Sequence, residues 1–248
     1  RSGMSPAMAF TIASYNAATA HRLNNVGALT DGYVADLVII DSLDDFNIKK
    51  VMISGQWYVE PETTVLPLAN QSLNFTLTVD DLKLPINDKK SAHVIEIMPH
   101  HITTTHLVED VPSQEGLFVA DKTYAKIVVA ERYHNLGHGV GIIKGFQMTD
   151  GAIASTIAHD SHNIIIAGTN DEDMLLAANK LREIGGGEVV VNNGQITTLP
   201  LAIGGLMSEQ SYTTVIQENN TLQAAFSKIS HLNFDPFLTL SFMALPVI

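Results

Sequence analysis

Asn170-Asp171-Glu172-Asp173-Met174-Leu175, running on to Gly185-Gly186-Gly187 and then through Glu188-Val189-Val190-Val191 and Asn193-Gly194 to Gln195-Ile196-Thr197-Thr198-Leu199, decides the fold. Its acidic start suits a helix N-terminus, where unpaired N–H groups carry partial positive charge. Met174, Leu175, Ala178 and Leu181 recur at helical spacing and predict a stripe facing the core. The three glycines stop that helix. The valine run next to Asn193-Gly194 predicts a hairpin, because Asn-Gly supplies the positive φ angles of a two-residue turn. A helix followed at once by a hairpin implies a sheet with helices laid on it, an α/β fold of the α+β kind.

Outward from there, further strands are expected at 93–98, 102–108, 125–130, 151–158 and 164–167. Asp235-Pro236 opens a last apolar helix by the cap-plus-proline rule. Residues 91–248 therefore read as one mixed α/β domain. Residues 65–90 hold Pro67, Pro85 and Asn/Asp-rich turns and read as a crossing segment. Residues 25–64 read as a small antiparallel β unit. In it Asp31-Gly32 turns the chain into Leu37-Val38-Ile39-Ile40, and Gly55 joins 51–54 to 56–59 as a tight hairpin. Before them, Ser5-Pro6 starts a helix with Phe10, Ala13, Ala17 and Ala20 at helical spacing, closed by His21-Arg22. One short helix has little to pack against, so 1–24 is expected to be the last element of something larger. Its small-residue face should then drive self-association.

Charge and composition narrow the partners. With 46% hydrophobic residues and a formal charge of −12, the chain is globular and would repel phosphate backbones and anionic lipid heads. The paired lysines Lys49-Lys50 and Lys89-Lys90 do not offset this, so neither nucleic acid nor a membrane is an expected partner. No cysteine is present, which excludes thiolate chemistry and fits a cytoplasmic protein. No run approaches the ~18 apolar residues that span a bilayer. Arg1-Ser2-Gly3 is not a signal peptide, and an opening without Met suggests an excised or processed piece.

The densest polar cluster is His159-Asp160-Ser161-His162-Asn163, set between two apolar runs. As a strand it would put His159 and Ser161 on one face and Asp160 and His162 on the other; as a helical turn, His159, His162 and Asn163 would converge. Either way an imidazole can lie beside a carboxylate, which raises its basicity. A Ser-His-Asp triad is not expected, because adjacent residues cannot aim at one another. The competing reading is a polar strand end whose side chains cap backbone groups. His100-His101 and His106 lack the spacing of a helical metal pair and read as scattered on a strand. The glycine-dense stretch 134–141 fits neither G-x-G-x-x-G nor a P-loop; it reads as a turn able to line a pocket near Arg132 and Lys144.

Three stretches resemble the bacterial-type adenine deaminases of the amidohydrolase superfamily. Ser14-Tyr15-Asn16-Ala17-Ala18 is similar to the final helix of the superfamily's TIM-type barrel. Gly32-Tyr33-Val34-Ala35-Asp36-Leu37-Val38-Ile39 with Val51-Met52-Ile53-Ser54-Gly55 resembles the returning strands of its small β-sandwich. The third stretch runs from Gly141 to Gly145, over 151–163, over 168–174 and from Pro200 through Gly204-Gly205 to Ser208. It resembles the extra C-terminal domain of adenine deaminases.

The resemblance implies hydrolysis of adenine to hypoxanthine and ammonia, a purine-salvage step, by a hydroxide activated on a divalent metal, manganese or iron, or else zinc. It places the ligands on barrel strands, beginning with a His-x-His pair that this sequence lacks. No metal ligand is therefore assigned here, and the chain alone is expected to be inactive. The resemblance turns the cluster into a half-site facing the barrel mouth, with His159, Asp160 and His162 catalytic and Ser161 and Asn163 contacting adenine. It also implies a homo-oligomer packed against the barrel. The alternative is a non-catalytic packing and oligomerisation module, which would show a cluster turned inward with every polar atom bonded internally. An independent hydrolase is the weakest reading, since no complete constellation is present.

Overall fold

The computed structural model describes residues 3–43, 46–59, 73–86 and 91–245. Contacts divide the chain into two compact units, Arg1–Leu66 and Pro67–Ile248. Within the expected crossing segment, 65–72 and 87–90 lie outside the described residues.

In the first unit the Ser5 side chain caps the helix by accepting from the Met8 N–H. The helix runs as α1 (Pro6–Thr11), a π-helical stretch (Ile12–Asn16) and α2 (Ala17–Ala20). Strands β1 (Leu37–Ile40), β2 (Ile48–Ile53) and β3 (Gln56–Trp57) form a three-stranded antiparallel sheet. Residues 26–29 are a loop, drawn onto the helix where a Cβ on Gly27 would stand 2.7 Å from the Ala18 methyl. Ala18 and Gly27 are small because the backbones meet there.

The second unit is built on one mixed sheet of eight strands. They are β4 (Ser91–Ile97), β5 (Thr104–Asp110), β8 (Tyr124–Ala130), β9 (His138–Lys144), β10 (Ala152–Ser155), β11 (Ile164–Gly168), β12 (Gly187–Asn192) and β13 (Gln195–Pro200). A separate two-stranded ribbon pairs β6 (Ser113–Gln114) with β7 (Leu117–Phe118). The sheet order is β13-β12-β10-β11-β8-β9-β4-β5; β9 runs parallel to β4 and the other neighbours are antiparallel. Helix α3 (Asp171–Ile184) covers one face with Leu73, Phe75 and Leu82. Helices α4 (Tyr212–Phe226) and α5 (Pro236–Phe242) cover the other. Both faces of the middle strands are thus buried, which is why β11, Ile-Ile-Ile-Ala-Gly, is apolar at every position rather than at alternate ones.

The hairpin and helix expected at 170–199 are present, with Asn170 capping α3 through the Asp173 N–H and Gly185 closing it at φ 77°. Two elements depart from the expected pattern. The glycine-dense stretch is not simply a loop: 138–144 is β9, whose Gly139 and Gly141 interrupt the apolar alternation that marks a strand. Residues 212–226 are a helix whose Gln-Glu-Asn-Asn-Thr run masks its buried Leu222, Ala225 and Phe226. Among the described residues no helix is long and apolar enough to cross a membrane.

Candidate functional site

Residues 156–163 join β10 to β11, and the cluster is a hairpin turn rather than a strand or a helical turn. Its root is fixed by Thr156, which is fully buried. The Thr156 N–H donates to Gly187 O (3.0 Å), its hydroxyl donates to Gly205 O (2.6 Å), and the same oxygen accepts from the Gly187 N–H (2.8 Å). A Cβ on Gly205 would lie 2.9 Å from the Thr156 hydroxyl, so glycine is what lets that loop approach. The tip is held by backbone alone: His159 N–H to Ser241 O of α5 (2.8 Å) and His162 N–H to Ala158 O (2.5 Å). His162 turns the chain at φ 51°, a region costly to a residue with a Cβ.

The side chains are left over. Asp160 and Ser161 are exposed; His159, His162 and Asn163 are half-buried. None of the five makes a side-chain hydrogen bond or ion pair among the described residues. The expected carboxylate–imidazole bond is therefore absent, and so is the capping of strand-end backbone groups. The His162 imidazole is held below its ordinary pKa, first by burial and then by the charge of Arg132 and by His159, against the pull of Asp160. This reverses the raised basicity expected from the sequence. Its Nδ1 is buried with no hydrogen-bond partner. The His159 ring packs on Phe242, centroids 4.7 Å apart, and meets His162 edge to face at 5.7 Å.

Other expected groups do not join this site. Lys144 is bound by Glu109 at 3.0 and 3.1 Å, so it does not converge with Arg132 on a shared pocket. In the loop after β8, partial burial of Glu131 is outweighed by N–H donors from Tyr133, His134 and Leu136, which bring its pKa to about 2. His106 pairs with His93 across β4 and β5, ring nitrogens 2.7 Å apart. Among the described residues no three His, Asp or Glu groups converge as a metal set. In the turn itself the two imidazoles meet edge to face, and Asp160 does not converge with them as a third ligand.

The structure ties to the turn residues that the sequence does not join to it, Arg132 being read there only beside the glycine-dense stretch. Arg132, at the end of β8, is 4% exposed and donates to Thr156 O (3.4 Å), Gly204 O (2.8 Å) and the Tyr133 hydroxyl (2.5 Å). Ser241 and Phe242 complete the seat of His159. These residues lie far from the turn in sequence, so only the tertiary fold reveals them.

Comparison with known proteins places this geometry. A family described as the adenine deaminase C-terminal domain matches residues 101–248, and the amidohydrolase family matches residues 1–58. The chain belongs to the adenine deaminase C-terminal domain family. Over 248 residues it is 98% identical to the adenine deaminase of Leuconostoc citreum, covering 100% of this chain and 45% of that protein. It is 69% identical to the adenine deaminase of Leuconostoc mesenteroides, covering 99% of the chain and 45% of the relative. The adenine deaminase of Lactiplantibacillus plantarum is 43% identical, covering 100% of the chain and 45% of the relative. The chain thus spans less than half the length of these relatives, and the family domain carries the β10–β11 turn.

Proposed function

We propose that this chain is the C-terminal part of an adenine deaminase, a hydrolase converting adenine and water to hypoxanthine and ammonia, and that the β10–β11 turn completes its active site. The observation that carries the reading is the unspent state of the turn. Five consecutive polar side chains stand on a rigidly anchored hairpin, and none is used inside the fold. A packing module would have bonded the buried Nδ1 of His162 internally, because a buried polar group without a partner costs free energy.

A divalent metal would supply the activated water, and its ligands would lie in the part of the relatives that this chain does not span. This chain's own groups bind and handle protons. A neutral His162 can accept a proton at Nε2, the ring nitrogen that is not buried, or hold one there toward a ring nitrogen of adenine. Asp160, exposed at the tip of the turn, is suited to receive N–H groups of the purine or of departing ammonia. His159 is packed against Phe242 in the same turn, while Ser161 and Asn163 offer hydrogen bonds that orient the base.

In a full-length enzyme carrying this chain, His162→Ala and His159→Ala should each lower kcat/KM by about 10²-fold, the usual scale of acid–base assistance. Steady-state kinetics on folded variants provide the check. Turnover near that of the unmodified enzyme would count against the reading.

A further inference from the structure

Arg132 is the one residue at this site whose burial is not explained by packing. A guanidinium taken out of water is costly unless a carboxylate or several dipoles compensate it. Arg132 is 4% exposed and has no carboxylate partner among the described residues. It is held by neutral oxygens only, those of Thr156, Gly204 and Tyr133, and it stacks on the Tyr133 ring at 4.6 Å. Its Nε is buried without a partner, as is Nδ1 of His162. Gly205 makes room for it, since a Cβ there would stand 2.8 Å from the guanidinium. An arginine kept in that state, where an apolar side chain of like volume would be cheaper, is kept for its charge.

We propose that Arg132 is a positioning residue for the β10–β11 turn: its guanidinium clamps the carbonyls of Thr156 and Gly204 and so sets a buried positive charge at the root of the turn that carries His162. This deepens the reading of the turn as part of the active site and rests on it. The groups that face His162 are few. Arg132 approaches from the end of β8, and His159 and Asp160 from its own turn. Helix α5 brings Ser241 and Phe242 to the neighbouring His159, and neither adds a charge. Burial first and the fixed positive charge of Arg132 second hold the His162 imidazole below its ordinary pKa, against the pull of Asp160. A neutral imidazole is required of a group that must accept a proton near pH 7.

The test reads the imidazole directly, without substrate. Ring signals of isotope-labelled histidine are titrated by NMR in the 248-residue chain, in Arg132→Gln and in Arg132→Lys, with near-UV circular dichroism to verify folding. Arg132→Gln should raise the His162 midpoint by at least ~0.5 pH unit. Arg132→Lys should leave it within ~0.2 unit of the unmodified chain while shifting the amide signals at Thr156 and Gly204, whose carbonyls lose the planar fork. A folded Arg132→Gln chain with an unmoved midpoint overturns the proposal. If Arg132→Gln does not fold, Arg132→Met, which removes the charge and keeps most of the volume, decides: a midpoint raised by at least ~0.5 pH unit in a folded chain supports the proposal, and an unmoved midpoint or loss of folding overturns it. Because no turnover is measured, this outcome is separable from the kinetics of the His159 and His162 variants.

Discussion

Glu188 on β12 and Glu131 in the loop after β8 are driven in opposite directions. Glu188 shares its face of β12 with Val190, under α4 and α5, and burial first and the charge of Asp235 second raise its pKa to about 7. A carboxyl raised this way binds its proton more tightly folded than unfolded. Its contribution is greatest below the unfolded value and is lost as pH rises through about 7. From the ordinary 4.5 to about 7, that loss is on the order of 3 kcal/mol. Glu188→Gln, which keeps the shape without the charge, should therefore raise the unfolding midpoint at pH 8 and leave it nearly unchanged at pH 4.5. Thermal melts across that range provide the measurement, and the variant's stability should decline less steeply between pH 5 and 7.5. Glu131 is the reverse case: its three N–H donors stabilise the charged form, a contribution present above its unfolded pKa and lost as pH falls toward 2.

At the scale of elements, α3 shows how local sequence and tertiary structure agree. Asn170 caps it through Asp173 N–H (2.7 Å), and its amide also donates to Asp150 (2.8 Å) and to the Asp173 carboxylate (3.2 Å). Asp173, 4% exposed, in turn accepts from Gly194 N–H at the β12–β13 hairpin (3.1 Å). Asn170→Ala should cost about 1–2 kcal/mol, toward the upper end of cap losses because three bonds go together, as read by urea denaturation. The acidic start, the stripe, Gly185 and Asn193-Gly194 are all short-range signals, and each was legible in the sequence, whereas the Asn170 cap is shown by the structure. What was hidden depends on distant chain. Strand β9 borrows its place from β4 and β8 while its own glycines blur the alternation, and α4 hides a buried edge behind a polar run. The site divides the same way. His159 to Asn163 stand out by composition, but their turn geometry is set by Thr156, Gly187, Gly205 and Ser241, and the lowered basicity of His162 by burial and Arg132. A five-residue window contains none of these.

At the scale of the molecule, the two units differ in how much they bury. The second has apolar layers on both faces of its sheet, with Val128, Ile153, Ile164, Ile165 and Ile166 fully or almost fully enclosed. In the first, Ala18 alone is a buried hydrophobic among the described residues, while Met8, Ile12, Tyr15, Ile48, Ile53 and Trp57 are exposed. A three-stranded sheet with one helix is at the lower limit of independent stability, and it reaches that limit only by burying an apolar face. Opening such a unit exposes little that was not already exposed, so its opening free energy must be small compared with that of the larger sheet. Native-state amide exchange of the 248-residue chain should therefore show two classes. Amides of β1, β2 and β3 should exchange with protection at least about 10²-fold lower than those of β8, β10 and β11, a gap of roughly 2.7 kcal/mol. Exchange read by mass spectrometry on peptides from 37–58 and 124–168 makes the comparison. Equal protection in the two sets would mean that the apolar surface of the first unit is covered in solution. A native mass above that of a single chain would then identify another copy as the cover.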